Sequence, residues 1–185
     1  MKTATVLIAL LVIIVGAVVL WSEKPTALTR PAPLRTASQS TRPMQGGPKK
    51  TVVLFFASQD QKILQEEIRE ILGTATTTED AKRTLAELVK GPESDLAPTL
   101  PRAAQVRSLF IDASGTAYAD FDRELKEGHR GGAQEELCSV FSIVDTLTSN
   151  FAQIKRVQIL VGGVEIPTLA GNVDTRVPLP PRYVF

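Results

Sequence analysis

Hydrophobic and polar positions divide the chain into three unlike regions. From Ala4 to Trp21 the sequence "ATVLIALLVIIVGAVVLW" carries no charge. That is about the shortest run that crosses a hydrocarbon core as a helix. Lys2 precedes it, and Trp21 stands where an interfacial aromatic belongs. The residues after it offer no small-residue cleavage site, which favours an uncleaved anchor over a removed signal peptide. Residues 1–3 are then a short flank and residues 4–21 a single transmembrane signal-anchor. Residues 22–50 have no apolar period and are rich in Ser, Thr, Pro and basic side chains. They read as a flexible linker with a reach on the order of 30 Å.

A globular pattern begins at Thr51. "TVVLFFA" is a short β-branched and aromatic run, the signature of a buried strand. "KILQEEIREIL" fits two templates: Leu64, Ile68, Ile71 and Leu72 form a helical stripe, and Leu64, Glu66, Ile68 and Glu70 form one face of a strand. "TTTEDAKRTLAELVKGP" is a marked helix, with Thr76 and Glu79 at capping-box spacing and Gly91-Pro92 as its stop. "QVRSLFIDASGTAYADF" predicts a hairpin turning at Gly115. After Gly131-Gly132, Leu137, Val140, Phe141, Val144 and Leu147 share one helical face, widened by Ile143. "KRVQILVGGVEI" predicts a second hairpin with Val157, Ile159 and Val161 on one face and Gly162-Gly163 in the turn. The Pro- and Gly-rich end holds no long regular element. This order predicts an α+β domain over residues 51–178, with two helices packed on one face of a small sheet, and a tail over 179–185.

Charge and composition narrow the function. The formal net charge is +1, which gives no reason to expect a nucleic-acid partner. The single cysteine forms no internal disulfide, and zinc-ligand spacings are absent. The only cysteine and the only histidine, Cys138 and His129, lie close in sequence, with Ser142 and Asp145 following on the same helix side as Cys138. A nucleophilic thiol needs a cation or a helix N-terminus to lower its pKa. Cys138 instead follows Glu135 and Glu136, and His129 lies beyond a Gly-Gly joint. A packed, structural cysteine is the better reading. Asp112, Asp120, Asp122 and Glu124 cluster about the first hairpin without calcium-loop spacing and read as caps. "HRGGA" before the helix offers an anion cradle that matches no phosphate-loop pattern. The expectation is no catalytic residue, no metal ligand and no cofactor.

Five segments, in order, resemble the GerMN domain family. They are "VVLFF", "LAELVKGP", "VRSLFIDASGTAYADFDREL", the stretch from Gly131 to Asp174, and a closing "VPL". The resemblance implies a small mixed or antiparallel sheet backed by helices, like the ring-building motifs of envelope-spanning assemblies. It implies that "ILQEEIREI" is extended. It also implies a non-enzymatic binding or assembly module outside the cytoplasm, connected with sporulation or germination in its namesake. That outweighs a weak positive-inside count, in which Lys24, Arg30 and Arg35 against Lys2 favour a cytoplasmic C-terminal domain. The expected partners are the membrane, through the single N-terminal helix, and envelope proteins or a second copy. Peptidoglycan or a small ligand is an alternative, and a Cys/His hydrolase a remote one.

Overall fold

The apolar run that opens the globular region is strand β1 (Lys49–Ala57) in the computed structural model, which describes residues 47–60 and 63–183. The anchor expected over 4–21 lies outside the described residues, as does the linker before residue 47. Among the described residues no helix is long and apolar enough to cross a membrane. β1 starts two residues earlier than the pattern predicts, because Lys49 and Lys50 already pair with the next strand.

That next strand is β2 (Leu64–Leu72), so the doubly readable segment is extended. It pairs antiparallel with β1, Val53 opposite Ile68, and turns Arg69 and Ile71 inward while Ile68 and Leu72 face solvent. Helix propensity is a weak prior that pairing with a neighbour overrides. Helix α1 (Thr77–Lys90) begins and ends as its sequence dictates. The Thr76 hydroxyl accepts from the Glu79 N–H, and Gly91 takes φ 90° to turn the chain out.

Strands β3 (Val106–Ile111) and β4 (Thr116–Phe121) form the predicted hairpin. Gly115 has φ 84°, and a Cβ there would stand 2.6 Å from the Gln153 carbonyl oxygen. Only glycine suits both demands. A short helix α2 (Glu124–Glu127), absent from the sequence reading, leads to α3 (Ala133–Asn150). Strand β5 (Arg156–Val161) runs parallel to β4, and the two-residue β6 (Val164–Glu165) turns back antiparallel through Gly162 and Gly163, both at positive φ.

The expectation of a mixed α+β arrangement holds, but that of one sheet backed on one face does not. The described residues form two sheets, β1–β2 and β3–β4–β5–β6. Each long helix touches both: α1 meets β1 and β3, and α3 meets β1 and β5. One apolar cluster runs through all of them, from Leu54 and Phe56 of β1 through Leu85 and Leu88 of α1 to Ala119 and Ile159 of the larger sheet.

The sheets stay separate because α3 closes the free edge of β1. The Asn150 side chain accepts from the Val53 N–H at 2.8 Å and donates to the Val53 carbonyl at 2.7 Å, as a neighbouring strand would. The Phe55 N–H donates to the Thr146 hydroxyl at 3.2 Å, and Ala57 exchanges both its backbone bonds with Ala97. An edge satisfied in this way has no use for another strand. Asn150→Ala leaves a part-buried donor and acceptor of Val53 unpaired, so it is expected to lower stability by about 1–3 kcal/mol. Chemical denaturation measures this. Hydrogen exchange should quicken first at the Val53 amide.

Candidate functional site

The loops 98–101 and 128–131 fold over the first turns of α3 and leave a cavity of about 360 Å³. Its lining includes Pro98, Thr99, Pro101, His129, Cys138 and Ser139. The fold thus brings Cys138 and His129 to the lining of one hollow, although the Gly131-Gly132 joint separates them in sequence. Glycine makes the close approach of the loops possible. A Cβ on Gly128 would meet the Glu124 carbonyl oxygen at 2.7 Å and Pro101 at 2.8 Å.

The bonding in this hollow is not that of a nucleophile and its base. His129 Nε2 lies 3.1 Å from the Ser139 hydroxyl and not on the cysteine. Ser139 has one proton and two carbonyl neighbours, Thr99 at 2.6 Å and Glu135 at 2.9 Å. Both carbonyls are pure acceptors, so the serine proton goes to one of them. Its oxygen is then left to accept from His129 Nε2–H. The imidazole is a donor to the hydroxyl and does not activate it. Cys138 is only 2% exposed and packs with Ala57 and Ala97. Burial pushes its thiol up from the ordinary value, and the charge of Glu135 adds to this, opposed by a contact from Gln134. Two atoms of the lining residues, His129 Nδ1 and Thr99 Oγ1, are buried without a hydrogen-bond partner among the described residues. Both atoms are closed off from solvent, and the hollow shows no activated nucleophile among the described residues.

The other polar side chains of α3 lie elsewhere. The Ser142 hydroxyl donates to the Ser139 carbonyl at 2.9 Å. Asp145 is fully buried and accepts from the Arg182 N–H at 2.8 Å, while its other oxygen has no partner among the described residues. Burial raises its pKa to about 6, with the Arg182 amide pulling the other way. The hairpin acids are fasteners. Asp112 accepts from the backbone of Ser114 and Thr116 and from the Ser114 hydroxyl, which holds its carboxyl below the ordinary range. Asp120 accepts from the Gly163 N–H and lies 3.5 Å from Arg107, Asp122 accepts from the Gln105 N–H, and Glu124 stands in the first turn of α2. The loop proposed as an anion cradle is partly filled by the chain itself, since Glu135 accepts from the Gly132 N–H at 2.9 Å.

Glu136 and Arg69 are among the buried charges that escaped the sequence reading. Glu136 is fully buried, yet its carboxylate accepts from the Ala170 N–H, the Asn172 N–H and the Asn172 amide. Burial alone would raise its pKa, but these bonds outweigh it and leave the group below the ordinary value. Arg69, inward on β2, donates to Glu67 at 2.9 Å and to the Gly91 carbonyl at 2.7 Å, and stacks 5.5 Å over the Phe56 ring. Glu67 in turn accepts from Glu93 and Ser94. Against a burial penalty, its hydrogen bonds bring its pKa down to about 2. In sequence both look ordinary: Glu136 is a first-turn helix acid, and Arg69 sits in a charged, alternating segment. Yet Glu136 binds the Ala170 amide 34 residues away, and Arg69 the Gly91 carbonyl 22 residues away.

Residues 53–167 match the family Germane, described as "Sporulation and spore germination". No curated protein matches the chain. Among solved structures, the first GerMN domain of the sporulation protein GerM from Bacillus subtilis is similar with a TM-score of 0.55 and 22% identity, over 72% of this chain and 98% of that one. The tandem GerMN domains of the same protein give 0.54 and 19%, over 71% of this chain and 46% of that one. A candidate lipoprotein from Clostridium perfringens gives 0.53 and 24%, over 71% and 87%.

Two measurements check the chemistry assigned here. Cys138 should resist a maleimide or disulfide reagent in the folded chain and react on unfolding; fast native labelling would contradict a packed thiol. For Asp145 the folded pKa is raised above the unfolded one, so its protonated form favours folding. Its contribution is fullest below about pH 4 and is lost as pH rises through about 6. Asp145→Asn should therefore gain on the order of 2 kcal/mol over the parent near pH 7.5, and the gain should vanish toward pH 4. Denaturation at the two pH values reads it.

Proposed function

The chain belongs to the Germane family of GerMN-domain proteins, and from that premise we propose that it is a non-enzymatic assembly module of the bacterial cell envelope. In this reading residues 4–21 anchor it as a single transmembrane helix, residues 22–50 are a spacer, and the GerMN domain stands outside the cytoplasm. There it binds envelope proteins or a second copy of itself, in a sporulation- or germination-related role. The observation that carries the reading is the use made of the polar side chains. Those of α3 and the first hairpin are spent on holding loops and edges, while large apolar side chains such as Ile68 and Phe110 stand exposed on the sheets. Groups committed to structure support a scaffold, and exposed apolar side chains on sheets support contacts with other proteins.

A second reading, binding of a cell-wall fragment or small polar ligand, has one specific observation in its favour. The hollow under loop 128–131 holds about 360 Å³, and the polar residues Thr99, His129 and Ser139 are among its lining. A Cys/His hydrolase has least support, since His129 bonds Ser139 and the Cys138 thiol is shifted away from ionisation.

Site-specific photo-crosslinking of the full chain in intact membranes tests the assembly reading. Probes at Ile68 and Phe110 should give discrete adducts with envelope proteins, and probes at the buried Leu85 should give none. Adducts no more abundant at the exposed positions than at Leu85 would sink it. Co-sedimentation with purified peptidoglycan separates the second reading. A reporter fused after Phe185, active only outside the cytoplasm, checks the orientation.

A further inference from the structure

The hairpin sheet has one closed edge and one open one, and the open edge is β2. Val53 and Phe55 turn their N–H groups toward α3. In an antiparallel pair, directly opposite residues either bond each other or both turn away from each other, so Ile68 and Glu66 turn their backbone groups away from β1, and Glu70 does the same by alternation. The inward bonds at the two ends fix the same phase: Gly73 N–H to the Pro48 carbonyl at 2.9 Å, and Ser58 N–H to the Ile63 carbonyl at 2.8 Å. At Leu72 the outward carbonyl is taken by Arg83 at 2.9 Å. Between Glu66 and Glu70, no strand among the described residues pairs with the outward row.

The same three residues present their side chains to solvent. Ile68 is 70% exposed, with Glu66 and Glu70 on either side of it along one face. Lys49 reaches Glu70 at 2.7 Å from β1 and both groups are well exposed, so the pair is readily exchanged. Acids on an edge strand guard it against pairing with its own kind. A second copy added antiparallel about Ile68 would set Glu66 against Glu70 twice, and an in-register parallel copy would stack each acid on itself. Like charges placed opposite each other destabilise a pair. Guarding alone leaves the bare isoleucine at the centre unexplained. An acid–apolar–acid row is complementary to a cation–apolar–cation row, which reads the same in either strand direction.

We propose that the outer edge of β2 is a docking rail for an extended segment of a different protein, one that carries Lys or Arg on either side of an apolar residue at alternate positions. Backbone bonds to Glu66, Ile68 and Glu70 supply the added strand, and the two acids select its sequence and turn away a second copy. This rests on the assembly reading and names the surface and partner chemistry for it.

The probes are two peptides, acetyl-TKTVTKT-amide and acetyl-TETVTET-amide, titrated into the full chain labelled for amide NMR. The lysine peptide should shift the Glu66, Ile68 and Glu70 amides and slow their exchange. The glutamate peptide should bind roughly tenfold more weakly or less. The double variant Glu66→Lys/Glu70→Lys should invert that preference. The single variant Glu70→Lys makes the edge self-complementary about Ile68 and should raise self-association in sedimentation. Equal binding of the two peptides, shifts confined to residues away from β2, or a wild-type dimer protecting these three amides overturns the proposal. If the peptides fail while crosslinking to envelope proteins succeeds, this edge falls and the assembly reading stands. If the lysine peptide docks as stated while no crosslinked partner is found, the edge chemistry holds and the envelope role falls.

Discussion

Helix α3 is buried on every side from Cys138 to Leu147, and the rest of the domain follows from that. A helix with a single apolar stripe leaves its polar side chains in water. Here Ser139, Ser142, Asp145 and Thr146 are inside, with Glu136 one turn earlier. Each must find a hydrogen-bond partner or cost stability. Ser142 bonds the Ser139 carbonyl of its own helix, and the others find backbone groups of segments far away in sequence. Glu136 gathers the loop at 170–172, Ser139 the loop at 99, Thr146 strand β1, and Asp145 the tail at Arg182. The helix is therefore both the centre of the apolar cluster and the post to which irregular segments are tied.

This arrangement also divides the labour between the two edges of the hairpin sheet. Asn150 and Thr146 stand in for a strand along β1, so that edge is satisfied without chain pairing. Among the described residues β2 has no such cover between Glu66 and Glu70, where acidic side chains guard it. Recognition through a strand edge needs main-chain groups that are accessible and fixed. The Arg69 anchorage, through Glu67 and the Gly91 carbonyl, holds β2 against the end of α1 and fixes them.

The buried acids of α3 show how environment sets their roles. Glu136 accepts several hydrogen bonds from its loop and stays ionised below the ordinary range. Asp145 accepts one and is raised to about 6 by burial. Glu136 meets more donors than Asp145 does, and each bond to the ionised form favours it. Neither faces the hollow that contains Cys138 and His129, and that hollow has no carboxylate positioned on the imidazole. What looks in sequence like an assembly of thiol, imidazole, hydroxyl and acid is spread over separate packing problems.

Much of the fold was legible in the residues. The Thr76–Glu79 cap, the Gly91 stop, the Gly115 turn and the Gly162-Gly163 turn are local devices, and local sequence is enough to specify them. The apolar stripe of α3 was readable for the same reason, as was the packed nature of Cys138 beside two acids. The extended state of Leu64–Leu72 was implied by the family resemblance but not by its own pattern, and three features were decided only by tertiary structure: the separation into two sheets, the parallel pairing of β4 with β5, and the roles of Glu136, Asp145 and Arg69. Each depends on a partner that is distant in sequence, whether a strand edge, a loop amide or a helix end. A short window records only a residue's own preferences. Burial, pairing and the free edge of β2 are properties of what the chain brings beside it.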